Sequence, residues 1–207
     1  MLKIAASKLK AKFVTQTQAL IHGDLHTGSV MCSPSPSQTF VIDPEFGFYG
    51  PMGFDTGAFV ANLLLAFVSQ SGHNNGDEYA EWILEQVYIF WSAFREEFLN
   101  LWNDPAEHTG ELYQRQFFED SNSMKVVQEE FMKELFIDTL GFAGTKMLRR
   151  IVGIAHVEDL ESIEDIDLKA QCEIHGLDIG IEMIKNADEY ASIEDVINMA
   201  RNKKPAT

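Results

Sequence analysis

Cysteine is scarce in this chain: 207 residues contain two, Cys32 and Cys172. A disulfide framework needs more, so both read as free thiols of a reducing compartment, and a cytoplasmic location is expected. Positive charge is also short. Lys and Arg number 16 against 32 Asp and Glu, a formal net charge of -16. A surface that negative repels phosphate backbones, which argues against nucleic acid as a partner. No apolar run approaches the roughly 20 residues of a membrane span, so no membrane partner is expected. The longest, FVANLLLAFV, is broken by Asn62 and reads as a buried helix. Internal repeats, low-complexity segments and a glycine-rich phosphate loop are lacking as well.

What remains is the composition of a packed protein. Hydrophobic residues make up 45% and aromatics 11%, with 15 Phe, enough to fill a core. The length suits one largish domain or two small ones. MLKIAASKLKAKF has four lysines and no acid, a superficial likeness to an organelle presequence. It lacks arginine and runs straight into the next motif, so it reads as an amphipathic helix of the domain over residues 2–12.

The next motif is HGDLHTGS, residues 22–29. Gly23 and Gly28 make it a loop. VMCS and TFVID read as short strands, with the turn chemistry of PSPSQ between them, so a hairpin follows the loop. Beyond it the pattern is helical. Phe54–Phe67 is apolar on all sides and therefore central. Ile83, Val87, Trp91, Phe94 and Phe98 form one face of a helix over 78–102, and Val127, Phe131 and Leu135 mark another over 124–142. Residues 165–187 form a further helix, and Ser192, with Glu194 and Asp195 behind it, starts a short last one. NDPAEHTGE and AHVEDLESIED read as connections, and NKKPAT as a frayed end. The architecture expected is mainly α with a small β-hairpin, an α+β class.

Carboxylates carry the chemistry. Asp24 sits on a glycine-bearing loop between a helix and a hairpin, well placed to meet a substrate hydroxyl. Asp43 and Glu45 flank Pro44 at the end of the second strand, and Pro44 stiffens the backbone between them. Two carboxylates so close are hard oxygen ligands of the kind Mg²⁺ takes together with substrate phosphates. The hairpin can bring Asp24 to the same cleft as this pair, which is the parts list of phosphoryl transfer. His22 and His26 are four apart, but Gly23 argues against a helix and no Cys or third His is near, so they read as loop-orienting residues and not a zinc site. Asp55 could pass for a third catalytic acid, yet at a helix start it reads as a cap or as a brace for the loop. His73, His108, His156 and His175 have no partner pattern. Arg149 and Arg150, adjacent cations in the apolar stretch MLRRIVGIA, are either an exposed salt-bridge pair or an anion clamp.

HGDLHTGS followed by IDPE resembles the kinase-like phosphotransferases of small molecules, the group with aminoglycoside and choline kinases, whose signature is HGD-x-H-x-x-N. Ser29 stands where that signature has Asn. HGDLHTGS, DPEFGFYGPMGFDTGAF and GTKMLRRIVGIAHVEDLESI together resemble the 5-methylthioribose kinase family, its plant-type members most closely, over essentially the whole chain. The resemblance implies residues 1–207 as the C-terminal catalytic lobe of a protein-kinase-like fold. It implies transfer of the ATP γ-phosphoryl group to the 1-hydroxyl of methylthioribose in methionine salvage. Asp24 would be the base and, with Arg149 and Arg150, would contact the substrate. Asp43, Pro44 and Glu45 would serve ATP and Mg²⁺, with Asp43, Glu45 and Ser29 as metal ligands. A kinase for another small alcohol such as choline, an aminoglycoside or homoserine is the alternative. A nucleotide-binding lobe is expected to lie outside the chain, with Met1 an alternative start or a truncation. The isolated lobe is then expected to turn over ATP poorly and to self-associate through an exposed apolar seam. For the full-length family protein a homodimer is expected.

Overall fold

A computed structural model describes residues 1–35, 37–73, 77–104 and 120–203. Helix α1 (Leu2–Thr15) opens the chain and strand β1 (Ala19–Ile21) follows. A single 3₁₀ turn, Thr27–Ser29, leads into strands β2 (Val30–Pro34) and β3 (Ser37–Val41). A second turn, Pro44–Phe46, precedes β4 (Phe48–Gly50). Then come α2 (Met52–Ser69), α3 (Asp77–Asn103), α4 (Ser121–Val152), α5 (Glu158–Glu161), α6 (Ile166–Asn186) and α7 (Ile193–Asn202). The class is mainly helical α+β, as the hydrophobic periods indicate.

The expected hairpin is present: β2 and β3 pair antiparallel from Val30 with Val41 to Pro34 with Ser37. The strands extend into PSPSQ, so the connection is tighter than its composition suggests; Pro36 lies outside the described residues. A second small sheet had no counterpart in the strand reading. β1 pairs antiparallel with β4, Ile21 opposite Phe48 and Ala19 opposite Gly50. Three-residue strands leave no readable alternation, and only the pairing across the intervening loop makes them strands.

The body is built around α4, which packs against α2 on one side and α6 on the other. At the α2 crossing the backbones approach closely. A Cβ on Gly57 would sit 2.6 Å from the Thr139 carbonyl oxygen, so glycine is what the contact tolerates. Thr56 and Thr139 share a buried hydroxyl hydrogen bond of 2.7 Å beside it. Leu64, Leu65, Leu140 and Met147 are wholly buried in this core. Helix α2 is long and apolar enough to cross a membrane by length and composition, but most of it is buried within the helical body. Ile83, Val87 and Trp91 of α3 point inward, with Phe94 and Phe98 half-buried against the same cluster.

Two sequence boundaries are corrected. The helix read over 124–142 runs from Ser121 to Val152, because Leu140, Ala143, Met147 and Ile151 continue its buried face. AHVEDLESIED is not all connection: it contains the single turn α5. The end of α6 and the start of α7 fall where expected, and Ser192 with Asp195 forms a capping box. NDPAEHTGE, His108 and most of NKKPAT fall largely outside the described residues.

The N-terminal segment is a helix of the domain. Leu9 of α1 packs with Phe142 of α4 and Ile184 of α6. Phe13 lies 5.5 Å from Phe48 and 5.0 Å from Phe54, and Phe54 lies 5.6 Å from Phe142. These rings tie α1, β4, α2 and α4 together, each pair contributing about 0.5–1.5 kcal/mol beyond burial.

Candidate active site

The loop from His22 to Ser29 is held by hydrogen bonds from Asp55 and from Ile42. Asp55, buried in the first turn of α2, accepts the His22 N–H at 2.5 Å and the Gly23 N–H at 3.1 Å. It is the brace that its helix-start position suggested. The His22 Nε2 meets the Ile42 carbonyl oxygen at 2.7 Å. The Ile42 N–H in turn donates to the Ser29 carbonyl at 2.9 Å. Gly23 has φ +85°, and a Cβ there would lie 2.2 Å from the Phe46 carbonyl oxygen. Only glycine satisfies both the backbone angle and that approach. Through Ile42 the loop is hydrogen-bonded to one end of the segment that carries Asp43 and Glu45, and at Gly23 it lies close against Phe46 at the other.

Asp24 is half-exposed, and its carboxylate is gripped from another element. Lys146 of α4 donates from Nζ to Asp24 Oδ1 at 2.6 Å. His26 Nε2 lies 3.8 Å from Oδ2. Burial alone raises the Asp24 pKa, but the hydrogen bond and charge of Lys146, with smaller contributions from His26 and Arg150, leave it below the ordinary value. Asp24 is therefore a carboxylate, with proton-accepting oxygen available at neutral pH. Lys146 was not singled out from the sequence. A lone lysine within the apolar run LGFAGTKML, one helical turn before Arg150, was the available signal.

Arg149 and Arg150 occupy the last turn of α4 and diverge. Arg149 is exposed. Arg150 is half-buried on the face of Lys146, donates from Nη1 to the Ala155 carbonyl at 3.3 Å, and is close enough to lower the Asp24 pKa. Its buried Nε has no hydrogen-bond partner, an uncommon cost for a guanidinium. The pair thus splits: one cation faces the acid and the other faces solvent.

Asp43 has φ 60° and ψ 50°, the left-handed region, immediately before Pro44 and Glu45 in the 3₁₀ turn. Aspartate tolerates that region better than most side chains, and such outliers gather at functional sites. Both carboxylates and Pro44 are exposed. Ser29 is buried, and its hydroxyl donates to the Asp24 carbonyl at 3.2 Å. Among the described residues no group of three or more His, Cys, Asp or Glu is arranged to hold a metal ion. The loop that bears Asp24 is bonded to Ile42, next to Asp43, but Asp24, Asp43 and Glu45 are not arranged as one metal cage. Two exposed carboxylates on one turn still fit Mg²⁺, which is usually held by one or two carboxylates plus substrate phosphates. Of the remaining histidines, His73 Nε2 meets the Asp159 carbonyl oxygen, buried His175 meets that of Ala200, and His156 lies 3.5 Å from Glu161.

Fold and site together define a helical α+β unit with an acid-bearing edge that carries Asp24, Asp43 and Glu45. Comparison with known proteins narrows this. Methylthioribose kinase 2 of Oryza sativa subsp. japonica is 46% identical over 200 residues, covering 95% of this chain and 46% of that protein. The methylthioribose kinase of Escherichia coli O45:K1 (strain S88 / ExPEC) is 39% identical over 203 residues, covering 96% and 48%. That of Bacillus cereus (strain 03BB102) is 39% identical over 193 residues, covering 93% and 44%. The chain is homologous to methylthioribose kinases of plants and bacteria along nearly its whole length, and it spans about half the length of these curated relatives. No protein-family model matches it.

Proposed function

We propose that this chain is the acid- and arginine-bearing lobe of a methylthioribose kinase, the C-terminal lobe of a protein-kinase-like fold. Its reaction is transfer of the ATP γ-phosphoryl group to the 1-hydroxyl of methylthioribose, a phosphotransfer to an alcohol acceptor within methionine salvage in the cytoplasm. The observation that carries this reading is the ionised Asp24, facing Lys146 and Arg150, in a chain homologous to methylthioribose kinases.

Asp24 receives the hydroxyl hydrogen bond and takes the proton as the oxygen attacks phosphorus. Arg150 supplies guanidinium donors for the charge on the transferring group, with Arg149 at the solvent margin. Asp43 and Glu45, spaced by Pro44, would hold Mg²⁺, with the Ser29 hydroxyl as a further oxygen. When bound, the ion supplies neutralisation of the ATP phosphates. Asp55 keeps the loop, and so Asp24, in place against α2.

A coupled ADP-release assay with Mg²⁺-ATP tests the acceptor. Release that depends on methylthioribose, weak for the isolated lobe, is expected, and preferential phosphorylation of choline, homoserine or an aminoglycoside overturns the substrate assignment. A second reading rests on the lack of a glycine-rich phosphate loop in these 207 residues. In it, the chain by itself binds the thiosugar but releases little ADP. Titration calorimetry beside the assay separates the two, since binding without turnover is its signature.

A further inference from the structure

Lys146 has a side chain only 6% exposed, in the C-terminal part of helix α4. Removing an ammonium from water costs several kcal/mol unless it is well paired. Its partner is the Oδ1 of Asp24, across 122 residues of sequence. Asp24 itself retains 31% exposure, and its Oδ2 has His26 Nε2 at 3.8 Å, beyond hydrogen-bond reach. So the charge that is buried is the lysine, and the charge left wet is the carboxylate.

The mechanical contrast points the same way. α4 is fixed by wholly buried Leu140, Ala143 and Met147 around Lys146. Asp24 follows a positive-φ glycine on a loop whose own bonds are to backbone, namely the Ser29 hydroxyl and the His26 N–H to the Asp24 carbonyl. Those bonds place the Asp24 Cα and leave its side-chain rotation free. Lys146 supplies the missing restraint.

We infer that Lys146 is a positioning residue for phosphoryl transfer, clamping Asp24 Oδ1 so that Oδ2 is the oxygen presented to the sugar hydroxyl. The inference rests on the reading of Asp24 as the acceptor for methylthioribose. In the step, the hydroxyl oxygen bonds to the γ-phosphorus, the bond from that phosphorus to the bridging oxygen of ADP breaks, and the hydroxyl proton passes to Oδ2. Lys146 keeps its own protons throughout. Arg150, four residues on and on the same helical face, is left for the phosphoryl group.

The test is calorimetric titration of methylthioribose into the 207-residue chain and its variants. Lys146→Met is expected to weaken binding about tenfold or more, the scale of a hydrogen bond to a charged group. Asp24→Asn should weaken it comparably, and the double variant should bind no worse than Asp24→Asn, because Lys146 acts only through Asp24. Lys146→Arg should recover part of the loss. In ¹⁵N-lysine spectra the paired ammonium should give a slowly exchanging signal that Asp24→Asn shifts or removes. If Lys146→Met does not fold by circular dichroism, Lys146→Gln takes its place with the same expected loss. Additive losses in the double variant, or unaltered binding by Lys146→Met while Asp24→Asn loses it, overturn this inference and leave the site reading standing. Unaltered binding by Asp24→Asn, or no binding by the parent chain, sinks the site reading and this inference with it.

Discussion

Asp24 at the loop edge and Asp138 in the helical body each meet a lysine at helix α4, and their pKa values move in opposite directions. Asp24 falls below the ordinary value, because Lys146 outweighs a modest burial. Asp138 rises, because its burial outweighs Lys12. The difference lies in which partner gives up its water. At the edge the lysine is 6% exposed and the carboxylate 31%; in the body the lysine is 39% exposed and the carboxylate 5%. One ion-pair chemistry therefore yields a carboxylate ready to work in one place and a costly structural tie between α1 and α4 in the other. The edge spends its geometry on holding a wet acid, and the body on excluding water.

The sharpest way to break this comparison is to neutralise the working acid. Asp24→Asn should cut methylthioribose-dependent ADP release by about 10²–10⁴, the usual contribution of a positioned base, with the folded fraction checked by circular dichroism. In the body, Leu140→Ala should cost about 2–5 kcal/mol in urea unfolding, whereas Val41→Ala on the exposed hairpin should stay within about 0.5 kcal/mol. Gly23→Ala strikes where edge and body meet. The new Cβ needs both a disfavoured φ and the space of the Phe46 carbonyl, so a loss of about 1–3 kcal/mol is expected, with weaker thiosugar binding by calorimetry.

The two aspartates also predict opposite pH slopes. Asp24 has a depressed folded pKa, so its contribution is present above the unfolded value and lost as pH falls through the folded one. Asp138 has a raised folded pKa, so its contribution is present below the unfolded value and lost as pH rises through the folded one. Urea midpoints from acid to neutral pH should show the stability advantage over Asp24→Asn growing with pH, and the advantage over Asp138→Asn shrinking. Slopes of equal sign would erase the contrast drawn above. The smallest effect is expected far from both: Ser192→Ala removes the α7 cap, about 1 kcal/mol by thermal melts, and leaves thiosugar binding unchanged.

Much of the edge was readable before any coordinates. HGDLHTGS announced a loop through its glycines, the PSPSQ turn announced the β2–β3 hairpin, and Asp55 at a helix start announced a brace. What escaped notice had no local period. β1 and β4 are three residues each, too short to alternate. α4 continued ten residues past its expected end because TLGFAGTKML carries few of the large side chains that mark a stripe. Ending the helix early hid the fact that Lys146 and Arg150 share a face.

By itself, the sequence determined most of the element types and the loop that bears Asp24, because turn chemistry and hydrophobic period act over a few residues. It also determined the likeness to methylthioribose kinases. Tertiary structure alone decided that Lys146 grips Asp24, that Arg150 faces the acid while Arg149 faces water, and that Asp138 is pushed up instead of down. Those outcomes depend on how far packing strips each charge of solvent, and no stretch of chain carries that information until α4 is seated between α2 and α6.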